Sequence, residues 1–140
     1  MMVFNNIKIS DYNIVFDEIF NKNNLPKLFL LSGEIGSGKT TLIKSFLKRL
    51  MVNGGVSSPT FNIINEYIND NNEHFFHFDL YRIKSKNELI EIGFDEYINS
   101  GNYCFIEWPE ISKTFLDRNF VNITLSFRDH SSRDIKITFH

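Results

Sequence analysis

The run Gly33-Glu34-Ile35-Gly36-Ser37-Gly38-Lys39-Thr40 constrains this 140-residue chain more than any other stretch. It fits the pattern G-x-x-x-x-G-K-[ST], and its flanks fit as well. The short apolar run "KLFLLS" (27–32) precedes it and reads as a strand buried on both faces. "TTLIKSFLKRLM" follows, with Leu42, Phe46, Leu47 and Leu50 recurring at helical spacing. Strand, glycine loop and helix together form a phosphate cradle. Glycines let the backbone take positive φ and come close to phosphate oxygens. Successive N–H groups then face an anion at a helix N-terminus, where the helix dipole favours negative charge. Lys39 has the reach for β- and γ-phosphates, and the Thr40 hydroxyl suits Mg²⁺. Thr41 either touches the α-phosphate or faces out from the helix. The loop therefore predicts binding of a nucleoside triphosphate through Gly33, Glu34, Ile35, Gly36, Ser37, Gly38, Lys39, Thr40 and Thr41.

Magnesium on such a ligand needs a carboxylate, directly or through water. In open α/β sheets it comes from the C-terminal tip of a strand beside the loop. Two tips qualify: Asp79 after "HFFHF" and Glu107 after "YCFI". Most such proteins place an aspartate there, but here the clean apolar run stops at a glutamate. A charge closing a buried strand is costly unless it is paired or meets a metal. Glu107 is accordingly the expected metal carboxylate, with Thr40. Asp79 fits three roles: positioning the attacking water, binding metal through water, or holding Arg82 and the nearby hydroxyls. Trp108 lies beside the nucleotide, plugs a partner surface or packs in the core. His77, two residues before Asp79 on the same strand face, fits a structural hydrogen bond better than a general base.

The rest of the chain reads as one α/β domain, residues 1–140, with a mixed sheet flanked by helices. Ser10 and Asp11 are placed to cap a helix over roughly 11–22, with Ile14, Ile19 and Phe20 on its apolar side. Asn53-Gly54-Gly55 is expected to end the helix after the loop. "TFNIINEYI" (60–68) and "HFFHFDLYR" (74–82) read as a hairpin about the turn 69–73. "KNELIEIGFDEYI" (86–98) reads as one or two helices broken near Gly93, and "YCFIEW" as a strand. "FVNITLSF" and "DIKITFH" form a closing hairpin around "RDHSSR".

Composition agrees with a packed domain: 42% of residues are hydrophobic and fifteen are Phe, so disorder is not expected. A net charge of −2 supplies no overall basic field for nucleic acid, so any RNA role needs a local patch or a partner. The one cysteine, Cys104, lies in an apolar run and fits burial as a small hydrophobe. No apolar run reaches the ~18 residues of a membrane span, and the N-terminus lacks a signal-peptide pattern. A cytoplasmic protein is expected.

Four blocks stand in a set order: "GEIGSGKTT" (33–41), "SSPTF" (57–61), "HFDLYR" (77–82) and "IEWPE" (106–110), with "EIGFDEY" (91–97) between the last two. In this order the chain resembles the TsaE (YjeE-like) family over about residues 8–139. The resemblance implies a P-loop NTPase-like fold and slow, Mg²⁺-dependent ATP hydrolysis, with ATP and Mg²⁺ as cofactors. It also implies work with threonylcarbamoyltransferase subunits (TsaB/TsaD-like). Those subunits transfer threonylcarbamoyl to the adenosine next to the anticodon in tRNA, so tRNA is met indirectly. Lys39, Asp79 and Glu107 match the family's catalytic positions, Thr40 and Glu107 its magnesium ligands, and Trp108 a residue near the nucleotide. Ser58, Pro59 and Thr60 match a loop that faces the γ-phosphate like a switch. "GGVSSPT" supports that role with flexible glycines, a stiffening proline and hydroxyls able to bond phosphate or metal. Asn13 stands where a threonine near the base is common, and Arg133 matches a basic residue near the end. Two other readings of the phosphate loop are a small-molecule or nucleotide kinase and a nucleotide-gated binding module. No insertion of lid size follows the loop, which disfavours the kinase. No arginine finger or catalytic glutamine is evident in cis, so the stimulus to hydrolysis is expected from outside.

Overall fold

The computed structural model describes residues 1–50, 52 and 63–140. Among these residues seven strands form one sheet: β1 (Met2–Lys8), β2 (Leu28–Ser32), β3 (Ile64–Ile68), β4 (His74–Asp79), β5 (Tyr103–Glu107), β6 (Val121–Phe127) and β7 (Ser132–Phe139). Their spatial order is β1-β7-β6-β2-β5-β4-β3. The four central strands, β6, β2, β5 and β4, are mutually parallel. β3 flanks them antiparallel on one side; on the other, β7 runs antiparallel to β6 and β1 antiparallel to β7. The mixed α/β sheet expected from the alternation of patterns is therefore present. The parallel centre also explains the unbroken apolar runs: it is covered on both faces.

Among the described residues four α-helices cover it: α1 (Tyr12–Phe20), α2 (Lys39–Arg49), α3 (Lys86–Glu91) and α4 (Phe94–Ile98). Residue parity in the strands assigns each side chain to a face. Phe29, Leu31, Phe75 and Phe105 pack with α1 and α2, whereas Leu28, Leu30, Phe76, Phe78, Cys104 and Ile106 pack with α3 and α4. Phe46 of α2 sits at the centre of the first cluster, its ring 5.0 Å from Phe16, 4.9 Å from Phe29 and 5.2 Å from Phe105. Removing such a ring costs about 3–5 kcal/mol. By the same parity His77, Asp79 and Glu107 share the α2 face, so the acidic strand tips lie beside the helix that begins at the glycine loop.

Several expectations need correction. Ile14 is exposed, and the buried face of α1 is Tyr12, Val15, Phe16 and Ile19, whose i, i+3, i+4, i+7 spacing omits position 14. β1 was not anticipated. Its alternation breaks at Asn6, which takes a φ of 58° at a register shift, and its partner β7 lies at the far end of the chain. β4 stops at Asp79 rather than 82, because the Asp79 carboxylate accepts the Tyr81 N–H at 3.1 Å and turns the chain. α2 ends at Arg49. Asn53-Gly54-Gly55 and the loop residues Ser58, Pro59 and Thr60 lie outside the described residues, as does the start of the strand expected from 60. The break at Gly93 is present, with a φ of 71° between α3 and α4. Among the described residues no helix is long and apolar enough to cross a membrane.

Candidate functional site

β2 ends at the sheet's centre, and the chain turns there through Gly33–Gly38 into α2. Gly33 has a φ of 149°, and a Cβ on it would collide with the Leu125 carbonyl and the Ser37 hydroxyl. Gly38 has a φ of 100°, and its carbonyl accepts the Leu42 N–H at 2.9 Å in the first turn of α2. Neither position tolerates a side chain without strain, so the glycine spacing that defines the motif follows from the path of the backbone.

Lys39 opens α2 and is 4% exposed. Its ammonium donates to the carbonyls of Gly33 (2.8 Å) and Glu34 (3.0 Å) and lies 4.2 Å from the centre of the Trp108 ring. Burial pushes its pKa down, while Glu107, Asp79 and Glu110 push it back up. An arriving anion would add to that second effect. The next residue, Thr40, donates its hydroxyl to Glu107 Oε1 at 2.7 Å. His77 Nε2 meets the same oxygen at 2.8 Å from within the sheet. Glu107 is held further by the backbone: Leu80 N–H donates to its carbonyl, and Trp108 N–H donates to Leu31 O.

Asp79 stands opposite Glu107 in the β4–β5 register. Burial raises the Asp79 carboxyl above the ordinary carboxylate range, the Tyr81 amide lowers it, and the charge of Glu107 raises it again. Trp108 adopts left-handed backbone (φ 57°, ψ 57°) just before Pro109, a conformation that costs a non-glycine residue about 1–3 kcal/mol. The turn lays its ring over Lys39 and 4.9 Å from the ring of Tyr81. Of the aromatic residues on this part of the chain, Phe76, Phe78 and Phe94 are core, and Tyr81 is exposed.

These groups line one open cleft of about 430 Å³, shared by Ile35, Gly36, Gly38, Lys39, Thr40, Thr41, Asp79, Tyr81, Glu107, Trp108 and Arg133. The structure thus brings together Lys39, Asp79, Glu107, Thr40, Thr41 and Trp108. Ser37 is buried beneath the loop, its N–H on the Glu34 carbonyl, and Ile35 projects to solvent. Asn13 lies apart, on a groove of about 340 Å³ with Ser10 and Lys48.

Arg133 is placed more firmly than its sequence suggested. From the start of β7 its guanidinium donates to Ser37 O (2.7 Å), Gly36 O (3.3 Å), Asp129 O (2.6 Å) and Ser132 O (2.8 Å), and it lies over the Phe127 ring at 4.8 Å. It ties the closing hairpin to the glycine loop, holding two loop carbonyls to one side. A small cavity of about 60 Å³ adjoins this strap, lined in part by Tyr12, Gly38, Thr41 and His130. The Phe127–Arg133 pairing across a short hairpin was the readable signal, but its target in the loop, 96 residues away, was not.

Residues 9–135 match the family described as Threonylcarbamoyl adenosine biosynthesis protein TsaE. Similar proteins include two named "tRNA threonylcarbamoyladenosine biosynthesis protein TsaE". The one from Rickettsia typhi is 38% identical over 120 residues, covering 84% of this chain and 82% of its own. The one from Haemophilus influenzae is 34% identical over 124 residues, covering 87% and 77%. A crystal structure of Bacillus subtilis YdiB shares the fold, with a TM-score of 0.74 at 24% identity over 97% of this chain and 83% of that one. The chain belongs to the TsaE family, whose work is the biosynthesis of threonylcarbamoyladenosine in tRNA.

Proposed function

We propose that this protein binds ATP with Mg²⁺ in the cleft and hydrolyses it slowly. In this reading it uses that cycle to assist a threonylcarbamoyltransferase complex acting on the adenosine next to the anticodon in tRNA. The observation that carries the reading is the 2.7 Å contact between Thr40 and Glu107 at the rim of the phosphate loop. A hydroxyl and a carboxylate are hard oxygen donors, the set that suits Mg²⁺. Two protein oxygens leave the rest of its shell to phosphates and water, as is usual for this ion. When bound, the ion would neutralise charge on the β- and γ-phosphates.

The protein's own groups have distinct parts. The loop amides and Lys39 bind the phosphates. Asp79, at the neighbouring strand tip, orients the attacking water or a metal-bound water. Trp108 walls the cleft and shields Lys39 from solvent. Arg133, the arginine lining the cleft, has its N–H groups directed to backbone carbonyls, which supports weak turnover by the isolated protein. Partners of the TsaB/TsaD type would supply the stimulus, in the cytoplasm where tRNA is modified, with tRNA contacted through them.

The test is to combine the protein with the partner pair, tRNA and ATP, and to measure modified adenosine. Wild type should support modification and Lys39→Ala should not. Equal modification with Lys39→Ala would contradict the reading.

A further inference from the structure

His77 is fully buried in β4, and among the described residues its side chain makes one hydrogen bond, to Glu107 Oε1 at 2.8 Å. Its other ring nitrogen, Nδ1, is sealed from solvent and has no partner among the described residues. Three proton arrangements are open to such a ring. A proton on Nδ1 alone would strand a buried donor and press the Nε2 lone pair against a carboxylate oxygen. Protons on both nitrogens would also strand the Nδ1–H. A proton on Nε2 alone leaves only an unpaired acceptor and makes the contact with Oε1 a true hydrogen bond.

Glu107 Oε1 then receives two donors, the Thr40 hydroxyl and the His77 Nε2–H. Among the described residues nothing donates to Oε2, and Glu107 lines the cleft. His77 is absent from the cleft's lining, so it cannot touch a ligand there and acts only through Glu107.

We propose that His77 is a positioning residue for the metal carboxylate: a neutral imidazole, protonated on Nε2, that fixes Oε1 and leaves Oε2 free of donors for the cation. This deepens the Mg²⁺–ATP reading above and rests on it. The neutral donor matters. A lysine or arginine at this position would orient the carboxylate equally well but would cancel the charge that attracts the ion. A histidine that holds a carboxylate ligand does what a carboxylate does when it holds a histidine ligand, and losing such a partner weakens metal binding by roughly 10- to 100-fold.

Two measurements test it. The first is nitrogen-15 NMR of the imidazole in the ligand-free wild type at neutral pH. The expected spectrum is a neutral ring with its proton on Nε2; a proton on Nδ1, or on both nitrogens, overturns the proposal. The second is Mn²⁺ binding in the presence of ATP, followed by electron paramagnetic resonance. His77→Phe keeps a ring but no donor, and His77→Asn is too short to reach Oε1. Both should weaken Mn²⁺ binding by roughly tenfold or more while leaving metal-free ATP binding unchanged. His77→Gln, whose amide nitrogen falls near the Nε2 position and can still donate to Oε1, should come within about threefold of wild type. Unaltered Mn²⁺ affinity in the Phe and Asn variants overturns the proposal, as does a Gln variant as weak as both. Should the Phe variant not fold, Asn, Gln and the wild-type spectrum still decide. Failure of wild type itself to bind Mn²⁺ with ATP would instead overturn the Mg²⁺–ATP reading, and the spectrum would still judge the tautomer.

Discussion

Thr40 and Glu107, 67 residues apart in the chain, meet at 2.7 Å where the first turn of α2 crosses the tip of β5. Parity in the strand aims Glu107 at the α2 face, and the glycine turn delivers Thr40 to the same place. The acidic end of an otherwise apolar strand therefore has a partner on the loop.

Glu107→Gln should keep the fold, because an amide oxygen can still accept from Thr40 and His77. It should lower Mg²⁺-dependent ATP hydrolysis on the order of a hundredfold through loss of the metal-directed charge. Steady-state phosphate release, with and without Mg²⁺, checks this. An unchanged Mg²⁺-dependent rate would rule out Glu107 as a metal carboxylate.

Asp79→Asn should stabilise the ligand-free protein at neutral pH while lowering hydrolysis. The Asp79 carboxyl titrates above its ordinary range, chiefly because it is buried. A carboxyl raised in the folded state holds its proton more tightly there, so stability falls as pH rises through the folded value. The gain from Asn should thus be largest at and above neutral pH and shrink as pH drops into the ordinary carboxylate range. Thermal melts of both proteins across pH 4 to about 8 read the difference directly.

Arg133→Ala should weaken ATP binding by about tenfold, the scale of one charge-assisted hydrogen bond, and should also lower the melting temperature, because the bonds that tie the closing hairpin to the loop are lost. Arg133→Lys should restore little, since a single ammonium cannot reproduce the fork that reaches Ser37 O and Gly36 O together. Isothermal titration with ATP distinguishes this strap from a plain surface charge, whose removal would leave affinity intact.

Cys104 should resist alkylation in the native state. Its thiol is pushed up to about 12 by burial, and its Sγ lies 3.3 Å from Tyr97 O. Iodoacetamide at pH 8 should label it only at the rate at which the protein opens, and fully in denaturant. Rapid native labelling would contradict the packing of β5.

The glycine turn between β2 and α2 was legible because its geometry is local: Gly33 and Gly38 are demanded by a turn that eight residues define. Glu107 was legible because a carboxylate ending "YCFI" breaks a burial pattern. What lay hidden depends on contacts between distant segments. The left-handed turn at Trp108 gives no composition signal in a non-glycine residue. Arg133 reads as one more hairpin charge until β7 is laid beside β6 and the loop. The pairing of β1 with β7 joins the two ends of the described chain, and its bulge at Asn6 blurs the alternation that would have marked a strand. Ile14 looked like a core position because isoleucine is apolar, although the helix turns it outward.

The central claim is that a triphosphate and its cation are held jointly by the loop and by Glu107. Calorimetric titration of wild type, Lys39→Ala and Glu107→Gln with ATP, each with and without Mg²⁺, tests it most directly. The account predicts that wild type binds ATP more tightly with Mg²⁺, that Glu107→Gln loses only the Mg²⁺-dependent part, and that Lys39→Ala loses binding in both conditions. Equal ATP affinity in all three proteins, with no response to Mg²⁺, would contradict it.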